Sequence, residues 1–384
     1  MESGTRLRRL VAVPEDDVTD KQAESIRAAQ VVLPCTELQP TMDFFIDELG
    51  FRLDRISPAD DPRSAEISGH GIRILLRRGS SEPAGTLRLA CEDPAALGGS
   101  ERALVAPNGT RIELTHARPG LTIPPIRQQL VVTRAADNTE WVTGRAGMRY
   151  RDLIPGRLGG RFIASHIQIP DGGPVPDHVH FHVIRFQLIY CAKGWVRVVY
   201  EGQGPPFVLA AGDAVLQPPR IRHRVLESSP GLEVVEIACP AEHDTFLDHE
   251  LELPMAEVQP GRDFGGQRFV RHEASGATWR PSRLKGFECR DLGISEATGG
   301  LAGVQVVRPA GALTAAQAWG HDGELLFQYV LAGEWTLEGV RDDPLHLGVG
   351  DALVLPAGLE CVLSARTDDL ELLEVRFPAT GRSR

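Results

Sequence analysis

The chain has 384 residues, 52 Asp and Glu against 41 Lys and Arg, and a formal net charge of −11. That balance argues against nucleic acid or an anionic membrane surface as a partner, since both call for a basic face. Forty Gly and 28 Pro, in a chain long enough for two or three domains, point to β structure with many turns. No apolar run approaches the roughly 20 residues that cross a bilayer, and Leu10–Val13 is too short for the apolar centre of a signal peptide. Six cysteines (35, 91, 191, 239, 289 and 361) lack CxxC or regular spacing and read as buried free thiols. A cytoplasmic, soluble protein is expected.

Residues 1–27 are charged and weakly patterned, a loosely ordered lead-in. Gln30–Thr36 reads as a strand. Gln39–Gly50 reads as a helix, apolar at Met42, Phe45, Ile46 and Leu49, with Gly50 as its stop. Strand-like runs follow at Phe51–Ile56, Gly71–Arg77 and Thr86–Cys91. The turn Pro107-Asn108-Gly109 then leads into the strand Thr110–Thr115. This order resembles one βαβββ module of the vicinal oxygen chelate (glyoxalase-like) family, an α+β unit covering 28–118. In that family a first-strand His or Gln and a last-strand Glu bind metal, positions matched here by Gln30 and Glu113. The family builds its site from two modules and one is seen, so a degenerate domain used for dimer or interdomain packing is expected.

Residues 118–140 are Pro-rich and polar, a linker. Beyond it lies Asp177-His-Val-His-Phe-His182, three of the chain's 12 histidines within five residues. Alternate residues of a strand share a face, so His180 and His182 point the same way. Gln187 opens an apolar run, and His223 follows a Gly212-Asp213 turn and a Pro218 corner. Curled together, these four offer three nitrogens and one oxygen, a set suited to a divalent first-row metal.

The stretch resembles the cupin family. His180-x-His182-x4-Gln187-x6-Gly194 fits the first cupin motif with Gln in place of Glu and no Gly six places before His180. Gly212-x5-Pro218-x-Arg220-x2-His223 fits the second, with Arg220 in place of Gly and Glu227 in place of Asn. A rival register on His178 and His180 recovers Gly172 but puts Ile184 or Arg185 where the oxygen ligand belongs.

From Trp141 the chain repeats itself at an offset of 138 to 140 residues. Trp141 falls on Trp279, Arg151-Asp-Leu on Arg290-Asp-Leu, Gly194 on Gly333, Gly212-Asp213 on Gly350-Asp351 and Pro218 on Pro356. Two tandem cupin jelly-roll barrels, 119–255 and 256–384, are therefore expected, in a mainly β chain. The repeat also tests the ligands: His180 maps to Trp319, Gln187 to Leu326 and His223 to Cys361, while His182 alone keeps a histidine, His321. The second barrel is expected to be metal-free. By the same logic Glu233 and Glu236, kept as Glu371 and Glu374, read as structural or interface charges. His166, His243 and His249 read as isolated surface or loop residues.

One divalent ion per chain (Zn, Fe, Mn, Ni or Cu) is expected, and a neutral donor set would leave it a strong Lewis acid. Arg185, Arg197, Arg220, Arg222 and Arg224 cluster around the motifs. Arg197 and Arg222 become Thr336 and Glu360 in the second copy, so these two, with His178, are the candidate catalytic residues. The ligand they imply is a small molecule bearing a carboxylate. Resemblance to cupins that isomerise or ring-open keto-sugar acids implies isomerase or lyase chemistry. The alternatives are a quercetinase- or gentisate-like dioxygenase and a non-catalytic binding protein. A homodimer is expected.

Overall fold

A computed structural model describes residues 26–48, 50–69, 71–79, 86–95, 104–105, 111–117, 120–312 and 316–379. Most of the expected lead-in, Leu49 and the Pro107–Gly109 turn lie outside them. The chain forms two compact units, one of residues up to Leu53 with Ser64–Gly120, the other of Asp54–Arg63 with Leu121–Arg384. It is mainly β, and no helix among the described residues is long and apolar enough to cross a membrane. The described cysteines 35, 191, 239, 289 and 361 are free thiols, with 191, 239 and 361 buried.

In the first unit, Ile26–Cys35 pairs in parallel with Ile72–Arg78 and antiparallel with Thr86–Cys91. Arg111–His116 adds in parallel to Thr86–Cys91. The expected helix is a short α turn, Leu38–Asp43, continued by a wider π turn, Phe44–Glu48, and it packs Leu38 and Met42 into the core. A strand absent from the sequence reading, Ser64–Gly69, pairs with Ile72–Arg78. It buries only Ala65 and Ile67, too few apolar residues to register as alternation. Arg88 stands in register between Gln30 and Glu113, and Glu113 pairs with Arg77 at 3.4 Å. Arg88 thus occupies the strand position between the two residues that the resemblance would join through a metal.

The second unit holds two barrels, each closed by two antiparallel sheets. In the first barrel the larger sheet runs Val270–His272, Ala214–Leu216, Phe186–Lys193, Leu232–Cys239, Ile163–Ile169, Arg149–Asp152, Val142–Thr143. Facing it are Phe207–Ala210, Trp195–Tyr200, His223–Ser228, His180–His182 and Thr245–Leu247. The second barrel repeats the larger sheet strand for strand: Val131–Thr133, Ala352–Val354, Leu325–Ala332, Glu371–Phe377, Gly303–Pro309, Phe287–Asp291, Arg280–Pro281.

Two sheet edges cross the expected boundary at 255/256. Val131–Thr133, early in the chain, pairs with Ala352–Val354 of the second barrel. Val270–His272, late in the chain, pairs with Ala214–Leu216 of the first. Each exchanged segment is pinned by a Gly-Asp turn. Asp213 accepts from Ala210 N (2.9 Å) in its own hairpin and from Ala274 N (2.8 Å) beyond the exchanged strand. Asp351 does the same with Gly348 N (3.1 Å) and Ala135 N (2.8 Å). The glycine beforehand takes φ of 93° or 85°, and a Cβ on Gly212 would lie 3.0 Å from that of Ala274. Backbone handedness and close approach both call for glycine here.

The two larger sheets are buried on both faces, which is why their strands read as near-continuous apolar runs. In Leu232–Cys239, Val235, Ile237 and Cys239 join a core shared with Phe327, Leu373, Val375 and Phe377 of the second barrel. Phe377 meets Phe162 and Phe186 edge-on, with ring centroids 4.9 and 4.8 Å apart. Burying each such ring contributes roughly 1.5–3 kcal/mol. The alternate residues Leu232, Val234 and Glu236 point into the first barrel. A segment expected in the front module also serves this barrel: Arg55 and Ile56 pair with Phe246 and Thr245, and Ala59 and Asp60 reach the barrel's cavity.

Candidate metal centre

Strand register brings the histidines together. His180 lies opposite His223 on one side and Leu247 on the other, and His182 lies opposite Thr245. The returning corner is closed by Arg220, whose N–H donates to the His182 carbonyl at 3.0 Å. Arg220 holds φ at 65°, the conformation of the motif glycine it replaces, at a cost of about 1–2 kcal/mol. Its role here is backbone shape; its side chain is exposed.

His180, His182 and His223 are buried, with ligand nitrogens all within 4.8 Å of one another. Among the described residues this is the one such convergence of His, Cys, Asp or Glu side chains. Each Nδ1 has a protein partner: the His178 carbonyl for His180 (2.8 Å), Thr245 Oγ1 for His182 (2.9 Å) and the Ile221 carbonyl for His223 (3.0 Å). Carbonyls only accept, so His180 and His223 carry their proton on Nδ1 and present a lone pair on Nε2. Burial, then the positive charges of Arg145 and His223, hold His180 well below the usual histidine range. Burial, then His223 and His180, do the same to His182. Burial takes His223 down to about 4. All three imidazoles are neutral at pH 7, the state in which they ligate metals. Ligation at about 2.1 Å would draw these nitrogens closer together than they stand here, by side-chain movement alone. The residues present fit a metal.

The surrounding network differs from the sequence expectation. Arg145 donates to His180 Nε2 at 3.0 Å and forms an ion pair with the buried Asp177. Asp177 also accepts from the backbone N–H groups of His178 and Val225, both at 2.9 Å. Gln217 donates to His223 Nε2 and to Gln187 Oε1, each at 3.1 Å, and accepts from the Tyr200 hydroxyl at 2.8 Å. Gln187 in turn donates to Glu236, whose carboxyl burial pushes up to about 7 against the lowering effect of Gln187. Gln187 therefore sits on the sheet that faces the histidines, with Gln217 bridging it to His223.

These side chains share a cavity with an empty volume of about 930 Å³, solvent at its mouth included. Arg145, Gln217, Glu236, Asp60 and His243 all line it, and the sequence reading assigned none of them to the site. His243, read as isolated, lies beside His182 with ring centroids 5.3 Å apart. The candidate arginines are elsewhere, and none of the five clustered arginines lines the cavity. Arg197 pairs with Glu227 at 2.9 Å. Arg222 pairs with Asp248 at 3.1 Å and lies over the Phe181 ring. Arg197 lies on a strand and Arg222 just before one, and both side chains turn away from the cavity. His178 is exposed and contributes its carbonyl to His180, while its ring sits near that of His249.

Two missed residues had a signal. Glu233 and Glu236 are three apart, so on a strand they take opposite faces. Glu233 meets His166 and Lys193, and Glu236 enters the cavity. Gln217 maps to Leu355, the polar-to-apolar change by which the other ligands were chosen.

No family model matches the sequence, and no curated protein matches it. Among solved structures the chain is similar to protein Ylba from E. coli (11% identity, 67% of this chain and 94% of that one, TM-score 0.47). It is also similar to a single-residue variant of B. subtilis oxalate decarboxylase (14% identity, 68% and 80%, TM-score 0.48). A B. subtilis oxalate decarboxylase structure at pH 4.6 gives 14% identity, 68% and 78% coverage and a TM-score of 0.47.

Proposed function

We propose that the chain is a metal-dependent bicupin enzyme whose first barrel holds one divalent ion on His180, His182 and His223, with the Gln187 oxygen as fourth donor. The observation that carries this reading is the convergence of three buried, neutral imidazoles whose Nδ1 atoms are all engaged by protein partners, the second-sphere pattern of metal-ligating histidines. Arg145 and Gln217, which donate to two of the Nε2 atoms, each keep a second anchor, Asp177 and Tyr200, so either can turn aside and stay held. When bound, the ion would act as a Lewis acid on an oxygen of the substrate.

The chain's own residues supply the rest. Arg145 brings a guanidinium to the cavity and can hold a carboxylate or enolate oxygen, the part assigned from sequence to Arg197 and Arg222. Glu236 brings a carboxyl into the cavity from the facing sheet and can take up and return a proton. Isomerase- or lyase-type chemistry on a small oxygenated anion follows from that pairing. The experiment is to purify the protein without added metal, measure its metal content, and assay 2-oxo and uronic acids. Turnover that survives both chelation and His182→Ala would refute the reading. The apolar walls of the cavity favour a second reading, a dioxygenase, because they exclude water from reactive intermediates. Oxygen uptake that tracks substrate loss would select it.

A further inference from the structure

The cavity is layered along its strands. One end carries the histidines, Gln187, Gln217, Arg145 and Glu236; beyond Glu236 the lining is apolar apart from the hydroxyl of Tyr150, which donates to Met148 Sδ at 3.7 Å. Gln187 is followed on its strand by Ile189, and Ser165 by Ile167. Glu236 is preceded by Val234, and Tyr200 by Val198. Cross-strand register puts Ile167 beside Val234, one layer past Ser165 beside Glu236. Leu209, Met148 and the ring of Tyr150, which stands beside Ile167, add to the wall. A molecule that was polar throughout would leave this layer facing nothing, and a compact hydrocarbon group would fill it.

We infer that the molecule received by the first barrel is amphipathic, with an oxygen-bearing head at the histidines and a compact apolar body, an alkyl chain or aromatic ring, in the layer beyond Glu236. This rests on the metal reading only for what anchors the head. The apolar layer stands on its own residues.

The test is titration calorimetry of the full-length protein with acetate, butyrate, hexanoate and oxalate, with metal content measured on the same sample. Affinity is expected to rise about fourfold for each added methylene until the chamber is full, with oxalate among the weakest. Val198→Thr, nearly isosteric, and Ile189→Gln should each flatten the dependence on chain length while metal content stays as in the wild type. A rising series in protein that carries no metal sustains the chamber and removes the metal. Flat affinity in metal-loaded protein does the reverse. Tightest binding by oxalate, or no binding by any member of the series, overturns the inference.

Discussion

The two barrels share an inward carboxylate and a half-buried arginine at matching positions, Glu236 with Arg145 and Glu374 with Arg283, and they use them differently. In the second barrel Arg283 Nη2 donates to both oxygens of Glu374, at 3.1 and 3.0 Å. Gln305 and Gln328 donate to it at 2.9 Å each. The carboxylate is saturated and closes the barrel's centre. In the first barrel the residues beside Glu236 in register are Ser165 and Ile189, where the second has Gln305 and Gln328 beside Glu374. Arg145 has left the glutamate for Asp177 and His180. An open site thus arises here by releasing a plug as well as by adding ligands. The ligand positions tell the same story: Trp319 and Cys361 face each other where His180 and His223 do, and Trp319 stacks on Trp335.

The largest effect expected separates the two shared histidines. His182→Ala should abolish metal retention, read by elemental analysis, and leave the fold in place. His321→Ala should leave metal content unchanged, because both its nitrogens already serve the backbone: Nε2 donates to the Leu355 carbonyl at 2.6 Å and Nδ1 accepts from Gly323 N at 3.1 Å. Its loss should instead cost about 1–3 kcal/mol of stability. Metal loss in the His321 variant alone would invert the assignment of barrels.

The arginines sharpen the contrast at a smaller scale. Arg283→Met strands a nearly fully buried carboxylate and should cost about 3 kcal/mol by chemical denaturation. Arg145→Met leaves Asp177 with its two backbone donors, so it should destabilise less while weakening the binding of anionic ligands. Equal losses of stability would mean that both pairs are structural.

The architecture was legible because turn chemistry and apolar runs repeat, and the repeat survives whatever each copy does. Strand alternation grouped His180 with His182, and the second motif's corner delivered His223. Three features of the fold and site were not legible, each for a physical reason. Asp60 belongs to a segment whose sequence neighbours are in the other compact unit, so proximity in the chain misplaced it. The edge strands Val131–Thr133 and Val270–His272 are three residues long and paired across barrels, and nothing local marks that exchange. Glu236 is retained in both copies, and retention reads as structural; Arg145, retained as Arg283, carries no motif that singles it out. Identity at a position does not specify the partner, and here the partner carries the difference.

The smallest effect tests the seam between the barrels. His166 lies on the first barrel's shared face, within ring-contact range of Trp141 (5.3 Å) and of Tyr329 in the second barrel (6.1 Å). Its counterpart there is Val306, which cannot titrate. Arg151 donates to His166 Nδ1 at 2.7 Å, so Nε2 carries the proton and gives it to Glu233, 3.0 Å away. A second proton would have to enter at Nδ1, against the guanidinium. Burial first, then Arg151, outweigh the opposing effect of Glu233 and lower the pKa from its ordinary 6.5. The unfolded chain therefore binds more protons than the folded one as pH drops below that value. The stability held by neutral His166 is complete above about 6.5 and declines as pH falls toward the lowered pKa. His166→Gln keeps a polar group between Arg151 and Glu233 and removes the titration. Its loss of stability between pH 7 and 5, followed by denaturant midpoint, should be shallower than that of the wild type. Parallel curves would show that the histidine contributes packing to the seam and no proton linkage.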